Sequence, residues 1–428
     1  MKRKVISLLI VSAMTASLVS GCGSSAASQE TGDMEVSTEE STEAGTSDDG
    51  TVSLTVWGAA EDQDLLNEIV DSFEQKYSSQ AKFDITVAEQ GESTCRDTLL
   101  GDLEGGADVF TFADDQLMSL VAAGALQPVE NADEVKSANL ENAVSACTVN
   151  DTLYAYPLTA DNGYFMYYDK SVFPDADVAT LDQMLADAAA VNKKVAMDWS
   201  SGWYLYSFFG NTGMECGLND DGISNHCNWN ATDTSIKGTD VASAMLAIAA
   251  NPGFLNTTDD GFIAGIQDGT VAAGISGVWD AQAVEAAWGS NYGAVKLPTF
   301  TCAGQQVQMA SFSGYKMVGV NAYSAHADWA SKLADWITNE QNQTLRFEER
   351  QQGPANINAA NSSEVQQSLA IQAVLSQAQF SSLQRIGGNY WDPVQEFGAE
   401  MANGNLSGKD LQTILDDMVK QVTASNAK

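Results

Sequence analysis

The alternation of two apolar patterns at the start of the folded region constrains the fold more than any other sequence feature. At 51–57, 83–87 and 108–112, short runs have apolar residues at alternate positions or throughout, as strands do. Between them, 65–77 repeats apolar residues every three or four positions, and 94–103 is also helical in character. The order strand, helix, strand, helix, strand is typical of a parallel, doubly wound sheet.

A second strand-to-helix unit at 269–288 predicts where a ligand binds. A strand at 271–275 is followed by a Ser276-Gly277 break, then by Trp279 and Asp280, then by an alanine-rich helix. Open α/β sheets bind their ligands beyond the carboxyl ends of the strands. We therefore expect Trp279 to lie at a ligand-binding edge.

The length of the chain and one aromatic segment indicate a division into two lobes. A chain of 428 residues favours two domains or one elaborate α/β unit. Within 151–170, two extended runs are joined across 159–163. We interpret that joint as a crossing between two lobes.

The N-terminus has the pattern of a targeting segment. Three basic residues at 2–4 precede an apolar stretch at 5–19 that is too short for a secure membrane span, and Val-Ser-Gly-Cys follows at 19–22. This tetrapeptide resembles the lipobox of bacterial lipoproteins, which predicts a signal peptide at 1–21 and lipidation of Cys22. A plain secretory signal with an incidental cysteine is the alternative. Residues 22–50 are polar and acidic, without a base, and predict a disordered linker from the lipid anchor.

The net charge of −37, from 57 acidic and 20 basic residues, excludes one class of partner. A nucleic-acid surface needs a cationic patch, and this chain spreads few bases over its whole length. We therefore expect no nucleic-acid partner, and either a neutral ligand or acidity that serves only to keep the protein solvated.

Five cysteines follow Cys22, namely Cys95, Cys147, Cys216, Cys227 and Cys302. An odd number leaves at least one unpaired within a monomer. Cys216 and Cys227 bracket a short polar loop, so a local disulfide and free thiols are both open.

Several short segments resemble, in family order, the extracellular solute-binding proteins of bacterial ABC importers, in the maltose and maltodextrin-binding group. They are Leu-Thr-Val-Trp-Gly at 54–58, Asp-Val-Phe at 108–110, Ala-Gly-Ala-Leu-Gln-Pro at 123–128, Tyr-Ala-Tyr-Pro at 154–157, Tyr-Asp-Lys at 168–170, Gly-Ile-Ser-Gly-Val-Trp-Asp at 274–280, Tyr-Gly-Ala-Val-Lys-Leu-Pro-Thr-Phe at 292–300, Gly-Pro-Ala-Asn-Ile-Asn at 353–358 and the segment around Trp391.

The resemblance implies a two-lobed α/β fold of the type II periplasmic-binding-protein kind. Each lobe would hold a mixed, mostly parallel sheet flanked by helices, with a hinge between the lobes and closure over the ligand. By family position, the N-terminal lobe would comprise 51–158 and 308–357. The C-terminal lobe would comprise 159–307 and 358–428.

The resemblance also implies the site. Flat aromatic rings pack against the C–H faces of sugars, and carboxylates accept hydrogen bonds from their hydroxyls. The residues that match family site positions are the aromatic Trp279, Trp391, Trp203 and Phe112 and the acidic Asp115, Asp161, Glu61 and Asp62.

Each of these residues has a structural alternative. Trp203 lies in a dense aromatic run at 199–209 that could be core, and Phe112 could end a buried strand. The acids could be solvated helix starts or loops. The chain also departs from close family members, because it has Asp at 161 in place of Glu and Gln116 in place of a base.

The sequence offers little for other chemistry. His226 and His326 are the only histidines, and we find no Gly-x-Ser-x-Gly elbow or phosphate-binding glycine loop. The segment 217–228 fails the full calcium-loop pattern, so no metal or cofactor is expected.

The function predicted from the resemblance is capture of a malto-oligosaccharide, maltotriose or longer, for delivery to ABC permease subunits. The protein would be a monomer, lipid-anchored at the extracellular face of the cytoplasmic membrane, and not an enzyme. The alternatives are binding of another oligosaccharide, a secreted glycan-degrading enzyme with paired carboxylates, and a non-transport adhesion or sensor protein.

Overall fold

The computed structural model describes residues 50–219 and 221–424. The predicted signal peptide at 1–21, the predicted lipidation site Cys22 and the predicted linker up to residue 49 lie outside the described residues. Among the described helices, none combines the length and apolar character needed to cross a bilayer.

The described residues form sixteen strands and seventeen α-helices, joined by loops and short 3₁₀ helices. Strands β1 to β16 span, in chain order, Thr51–Gly58, Lys82–Glu89, Val109–Ala113, Thr148–Val149, Thr152–Leu153, Tyr156–Asp169, Lys194–Met197, Cys216–Leu218, Asn225–Cys227, Phe254–Asn256, Val271–Gly277, Tyr292–Val295, Thr299–Cys302, Gln305–Gln308, Ser311–Val320 and Ser381–Leu383.

Helices α1 to α17 likewise follow the chain. They span Gln63–Tyr77, Cys95–Gly101, Leu117–Ala122, Ala132–Ala138, Glu141–Ala146, Leu181–Ala190, Gly202–Phe209, Gly238–Ala249, Asp259–Gln267, Ala281–Trp288, Ala327–Ile337, Glu340–Arg350, Ile357–Ala360, Ser363–Gln367, Leu369–Gln377, Trp391–Ala402 and Leu411–Val422.

The N-terminal alternation forms the parallel sheet that it predicts. β1 pairs in parallel with β2 along its whole length and with β3 on its other side. α1 buries the apolar stripe of 65–73 against this sheet, because Leu65, Leu66, Ile69 and Phe73 fall on one helical face. The predicted doubly wound arrangement is confirmed in this part of the chain.

One long strand, β6, joins this first sheet to a second one. The first half of β6 pairs antiparallel with β15, and β15 pairs antiparallel with β3. The second half of β6, at 164–168, pairs with β11 instead, and β12 pairs with 166–169. The prediction of two extended runs joined across 159–163 was wrong in one respect, because β6 is a single strand of 14 residues.

The second sheet has the order β10-β7-β11-β6. In it, β7 pairs in parallel with both β10 and β11. One core lies against the first sheet and includes Phe73 and Phe110. The second sheet has a core on each face, one centred on aromatic residues such as Trp199 and Trp229, the other including Phe165 and Phe262. The fold is therefore two mostly parallel sheets flanked by helices, as predicted.

Candidate ligand-binding site

Trp279 lies where the strand-end argument places it, on a 3₁₀ turn directly after β11. Its side chain is partly exposed and its ring lies over Gly277, where a Cβ atom would overlap ring carbon Cζ3. The Trp279 side chain also acts to lower the pKa of Asp259, against the larger effect of burial. The close approach to Gly277 places the ring at the edge of the second sheet.

Trp203 and Trp391 lie close to one another in the same region. Trp203 is on α7, with its ring centroid 5.5 Å from that of Phe312 and nearly parallel to it. Trp391 begins α16, and its ring atom Cε3 would be 3.4 Å from a Cβ atom at Gly202, the residue before Trp203. Trp203, Trp391 and Trp279 are all partly exposed and all pack against one core.

Asp259 is a common neighbour of Trp279 and helix α7. Tyr204, which follows Trp203, donates its hydroxyl to Asp259 at 2.8 Å, and the Trp279 side chain acts to lower the pKa of the same carboxyl. The second sheet therefore brings the three predicted tryptophans into one neighbourhood.

Phe112 lies elsewhere. Its side chain has no exposed surface and packs in the first-sheet core, with its ring 5.5 Å from that of Phe110. The structure thus corresponds to the alternative interpretation, in which Phe112 is part of a buried strand. We leave it out of the proposed ligand contacts.

Asp62 is engaged in a buried ion pair. Its carboxylate is 1% exposed, pairs with Arg346 and accepts a hydrogen bond from Arg350 Nε at 3.2 Å. Burial alone would raise the pKa of Asp62, but the positive charges of Arg346, Lys316 and Arg350 outweigh it and lower the pKa. Asp62 therefore holds two arginines in place, whereas its neighbour Glu61 is exposed to solvent.

Among the acids predicted as ligand contacts, Asp115 has a buried side-chain oxygen without a hydrogen-bond donor. Its Oδ1 atom is enclosed and meets no donor among the described residues. Burial, together with the charge of Asp114, raises the pKa of Asp115 to about 7. An enclosed acceptor without a partner is costly, and a ligand hydroxyl would satisfy it.

Asp161 lies on β6 and accepts a hydrogen bond from the backbone N–H of Gly353. Burial raises the pKa of Asp161 to about 6, although the Gly353 bond opposes the shift. A cavity of about 680 Å³ lies between β6, β15, α5 and α15. Asp161 lines that cavity, and the three tryptophans do not.

Lys316 and Glu92 were missed by the sequence interpretation. Lys316 Nζ lies 2.6 Å from Glu92 Oε2 and 5.8 Å from the ring centroid of Trp279. Burial would lower the pKa of Lys316, but the charges of Glu92 and Asp62 raise it. The ammonium thus connects the acids beside the first sheet to Trp279 beside the second. Two signals were available, because Glu92 follows the carboxyl end of β2 and Lys316 is the only base in β15.

A further ion pair joins the segment after β16 to the turn after β3. Arg385 Nη1 lies 2.6 Å from Asp114 Oδ2, and Asp114 adjoins Asp115. Gln116, which stands where family members have a base, is buried and donates its side-chain amide to the Glu92 carbonyl at 2.6 Å. Gln116 therefore orients the loop that carries Glu92.

Two acids beside Trp279 were also missed. Ser276 donates its hydroxyl to Asp280 Oδ2 at 2.6 Å. Burial raises the pKa of Asp280 to about 7 and that of Asp259 to about 6. Among the described residues, no group of three or more His, Cys, Asp or Glu side chains is arranged to hold a metal ion.

The fold is that of a two-lobed α/β binding protein, and the three partly exposed tryptophans and Lys316 lie near the junction of its two sheets. Residues 68–373 match the family described as bacterial extracellular solute-binding protein. The match covers most of the chain, so the protein belongs to this family, and the predicted resemblance is confirmed.

Individual relatives are sugar-binding proteins. The galactooligosaccharide-binding protein of Bacillus subtilis (strain 168) is 27% identical over 399 residues, covering 83% of this chain and 90% of the relative. A maltooligosaccharide ABC transporter solute-binding lipoprotein of Streptococcus pneumoniae (strain ATCC BAA-255 / R6) is 26% identical, covering 73% and 77%. A solved structure described as "with acarbose" superposes with a TM-score of 0.78 at 31% identity, covering 87% of this chain and 99% of that one.

Replacing Asp62 tests its structural role. In Asp62→Ala, Arg346 stays buried without its partner, so we expect the free energy of unfolding to fall by about 3–5 kcal/mol. The matched control is Glu61→Gln at the exposed neighbouring position, which should change it by less than about 0.5 kcal/mol. Chemical denaturation measures both. If Asp62→Ala kept wild-type stability and lost only ligand affinity, Asp62 would be a ligand contact instead.

The raised pKa values predict how stability depends on pH. Asp115 and Asp280 have pKa values of about 7 in the folded protein, against 3.8 for an ordinary aspartate. Their protonated forms stabilise the fold below about pH 4, and that stabilisation is lost as the pH rises through 7. We expect a lower melting temperature at pH 7.5 than at pH 5.

The contribution of one group can be isolated with Asp280→Asn, which cannot ionise. It should reduce the loss of unfolding free energy between pH 5 and 7.5 by about 1–2 kcal/mol. Asp71→Asn, at an exposed position of α1, is the control and should leave the pH dependence as in the wild type. A pH profile that Asp280→Asn does not alter would contradict the assignment.

Proposed function

We propose that the protein is the substrate-binding lipoprotein of an ABC importer, which captures an oligosaccharide between its two lobes and delivers it to the membrane permease. The observation that carries the proposal is the grouping of three partly exposed tryptophans, with Lys316 5.8 Å from one of their rings. Tryptophan faces pack against the C–H surfaces of sugars, and the surrounding acids accept hydroxyl hydrogen bonds.

The proposed contacts differ in chemical role. Trp279, Trp391 and Trp203 would stack against sugar rings. Asp115 would accept a hydroxyl hydrogen bond at its unpartnered oxygen, and Asp161 and Glu61 would contribute at the rim. Asp62 would act indirectly by positioning Arg346 and Arg350.

The division into lobes is part of the proposal. The N-terminal lobe would comprise 51–158 and 308–357, and the C-terminal lobe 159–307 and 358–428. The change of β6 from pairing with β15 to pairing with β11 after 163 supports a boundary near 159, and the start of the β15 ladder beside that change supports one near 308. Bending of these crossing segments would close the lobes over the ligand.

The proposed ligand is a malto-oligosaccharide of maltotriose length or longer, because one relative is named for maltooligosaccharide. A galactooligosaccharide is the competing ligand, since another relative is named for it. We further propose that acylated Cys22 anchors the protein at the extracellular face of the cytoplasmic membrane, where it acts as a monomer without a cofactor.

Isothermal titration calorimetry distinguishes the sugars. We expect heat of binding with maltotriose, and weaker or no heat with galacto-, xylo- and manno-oligosaccharides of matched length. Binding of a galacto-oligosaccharide without any heat from maltotriose would overturn the malto-oligosaccharide assignment and leave the receptor proposal standing. A protein-dependent increase in reducing ends after overnight incubation would favour a glycan-degrading enzyme.

Trp279→Ala tests the aromatic contacts. A buried stacking ring is worth at least about 2 kcal/mol, so the dissociation constant for the bound sugar should rise roughly 30-fold or more. Trp288→Ala is the control, because Trp288 ends α10, the helix that follows Trp279, and packs against a different core. Circular dichroism checks that both variants fold. Equal affinity in Trp279→Ala and the wild type would return Trp279 to a packing role.

A further inference from the structure

A small hairpin in the second half of the chain brings two cysteines into register. Strands β8 and β9 pair antiparallel, and Cys216 lies directly opposite Cys227. The backbone N–H of Asn228 donates to the Glu215 carbonyl at 2.9 Å, and that of Asn219 donates to the Ser224 carbonyl at 2.8 Å.

These two hydrogen bonds fix the type of pair that the cysteines form. Hydrogen-bonded and non-hydrogen-bonded pairs alternate along an antiparallel ladder. The pairs 215/228 and 219/224 are hydrogen-bonded, so Cys216 and Cys227 occupy a non-hydrogen-bonded pair between them. The Cα atoms of such a pair are about 4.5 Å apart and the side chains are close on one face. That separation lies within the range of roughly 4.4–6.8 Å found in disulfides.

The register makes the two thiols neighbours on one face of the hairpin. The Cys227 side chain, together with burial, raises the pKa of the Cys216 thiol. Both side chains are partly exposed, so a small reagent can reach them. Cys95, Cys147 and Cys302 are buried in three other places.

We propose that Cys216 and Cys227 are a redox modification site that closes to a cross-strand disulfide. The oxidant would be a low-molecular-weight disulfide. The thiolate of one cysteine attacks that disulfide and displaces one thiolate, which leaves a mixed disulfide on the protein. The second cysteine then attacks the protein sulfur of the mixed disulfide and displaces the second thiolate. The protein loses two protons and two electrons, and the small disulfide is reduced to two thiols.

The compartment and the surroundings suit this bond. Disulfides persist outside the cytoplasm, where members of this extracellular family act. The hairpin holds the segment that follows β16, because Leu218 N–H donates to the Arg385 carbonyl at 2.9 Å and Gly387 N–H donates to Asn225 Oδ1 at 2.6 Å. Arg385 carries the ion pair to Asp114. Closing the disulfide would therefore stabilise the hairpin that holds Arg385 in position for its ion pair with Asp114.

Peptide mass spectrometry tests the proposal directly. The segment 195–237 contains both cysteines and no internal Lys or Arg, so trypsin releases it as one peptide. The folded protein is incubated with oxidised glutathione or with dithiothreitol, then denatured and blocked with N-ethylmaleimide before digestion. We expect the oxidised peptide to be lighter by two hydrogens and unlabelled, and the reduced peptide to carry two maleimides.

Matched variants and stability complete the test. After oxidation, Cys302→Ser should give the lighter 195–237 peptide as the wild type does, whereas Cys216→Ser should never give it. Oxidised wild type should melt about 2–6 °C above the reduced form, with no such difference in Cys216→Ser. Two maleimides after oxidation, a glutathione adduct that stays on one cysteine, or a crosslink to another peptide would overturn the proposal. A lower melting temperature for the oxidised form would also overturn it, because the native register would then not accommodate the bond.

Discussion

The antiparallel pairing of β6 with β15 is the contact on which the rest of the molecule depends. β6 continues from the first sheet into the second, β15 runs in the opposite direction beside its first half, and the backbone hydrogen bonds between the two strands join largely buried residues. Breaking them would leave buried N–H and C=O groups unpaired, at a cost of about 1–3 kcal/mol each. The ladder changes register between Gly314 and Lys316. Such an irregularity lets a strand bend while its ends stay paired, so the same segment can join the sheets firmly and still act as a hinge.

The charges of the proposed site lie close to the irregularity in this ladder. Lys316 is 7% exposed beside the irregularity, and Glu92 and Asp62 both raise its pKa. Asp115, Asp161 and Asp280 lie in a poorly hydrated region, and burial is the largest cause of their raised pKa values. Buried carboxyls without enough partners destabilise the empty protein. A ligand rich in hydroxyls would supply the missing hydrogen bonds, so part of the cost of the site would be recovered on binding.

The sequence predicted the sheets better than the roles of single side chains. Strand and helix periodicity fixed β1, α1 and β2, because burial on one face leaves a regular pattern. The pattern around Trp279 also predicted its position at a strand end. Periodicity could not show whether Phe112, near the end of β3, is buried in the core or exposed to a ligand. It gave no sign that Asp62 would meet Arg346, since the two are 284 residues apart and join only when α12 packs near α1. Lys316 was missed for the same reason, because its partners come from distant parts of the chain.

The glycine before Trp279 has a consequence for how the site could change over time. The ring of Trp279 occupies the volume that any other side chain at 277 would need. The backbone of Gly277 is extended, so its torsion angles alone would admit other residues. Glycine is therefore needed at 277 because the Trp279 ring leaves no space for a side chain there. The residue allowed at 277 thus depends on the residue at 279. A larger residue at 277 would turn the indole away before it altered the fold. Variation at 277 and 279 should accordingly occur jointly, and a chain that loses this glycine would need to build its aromatic surface from a different position.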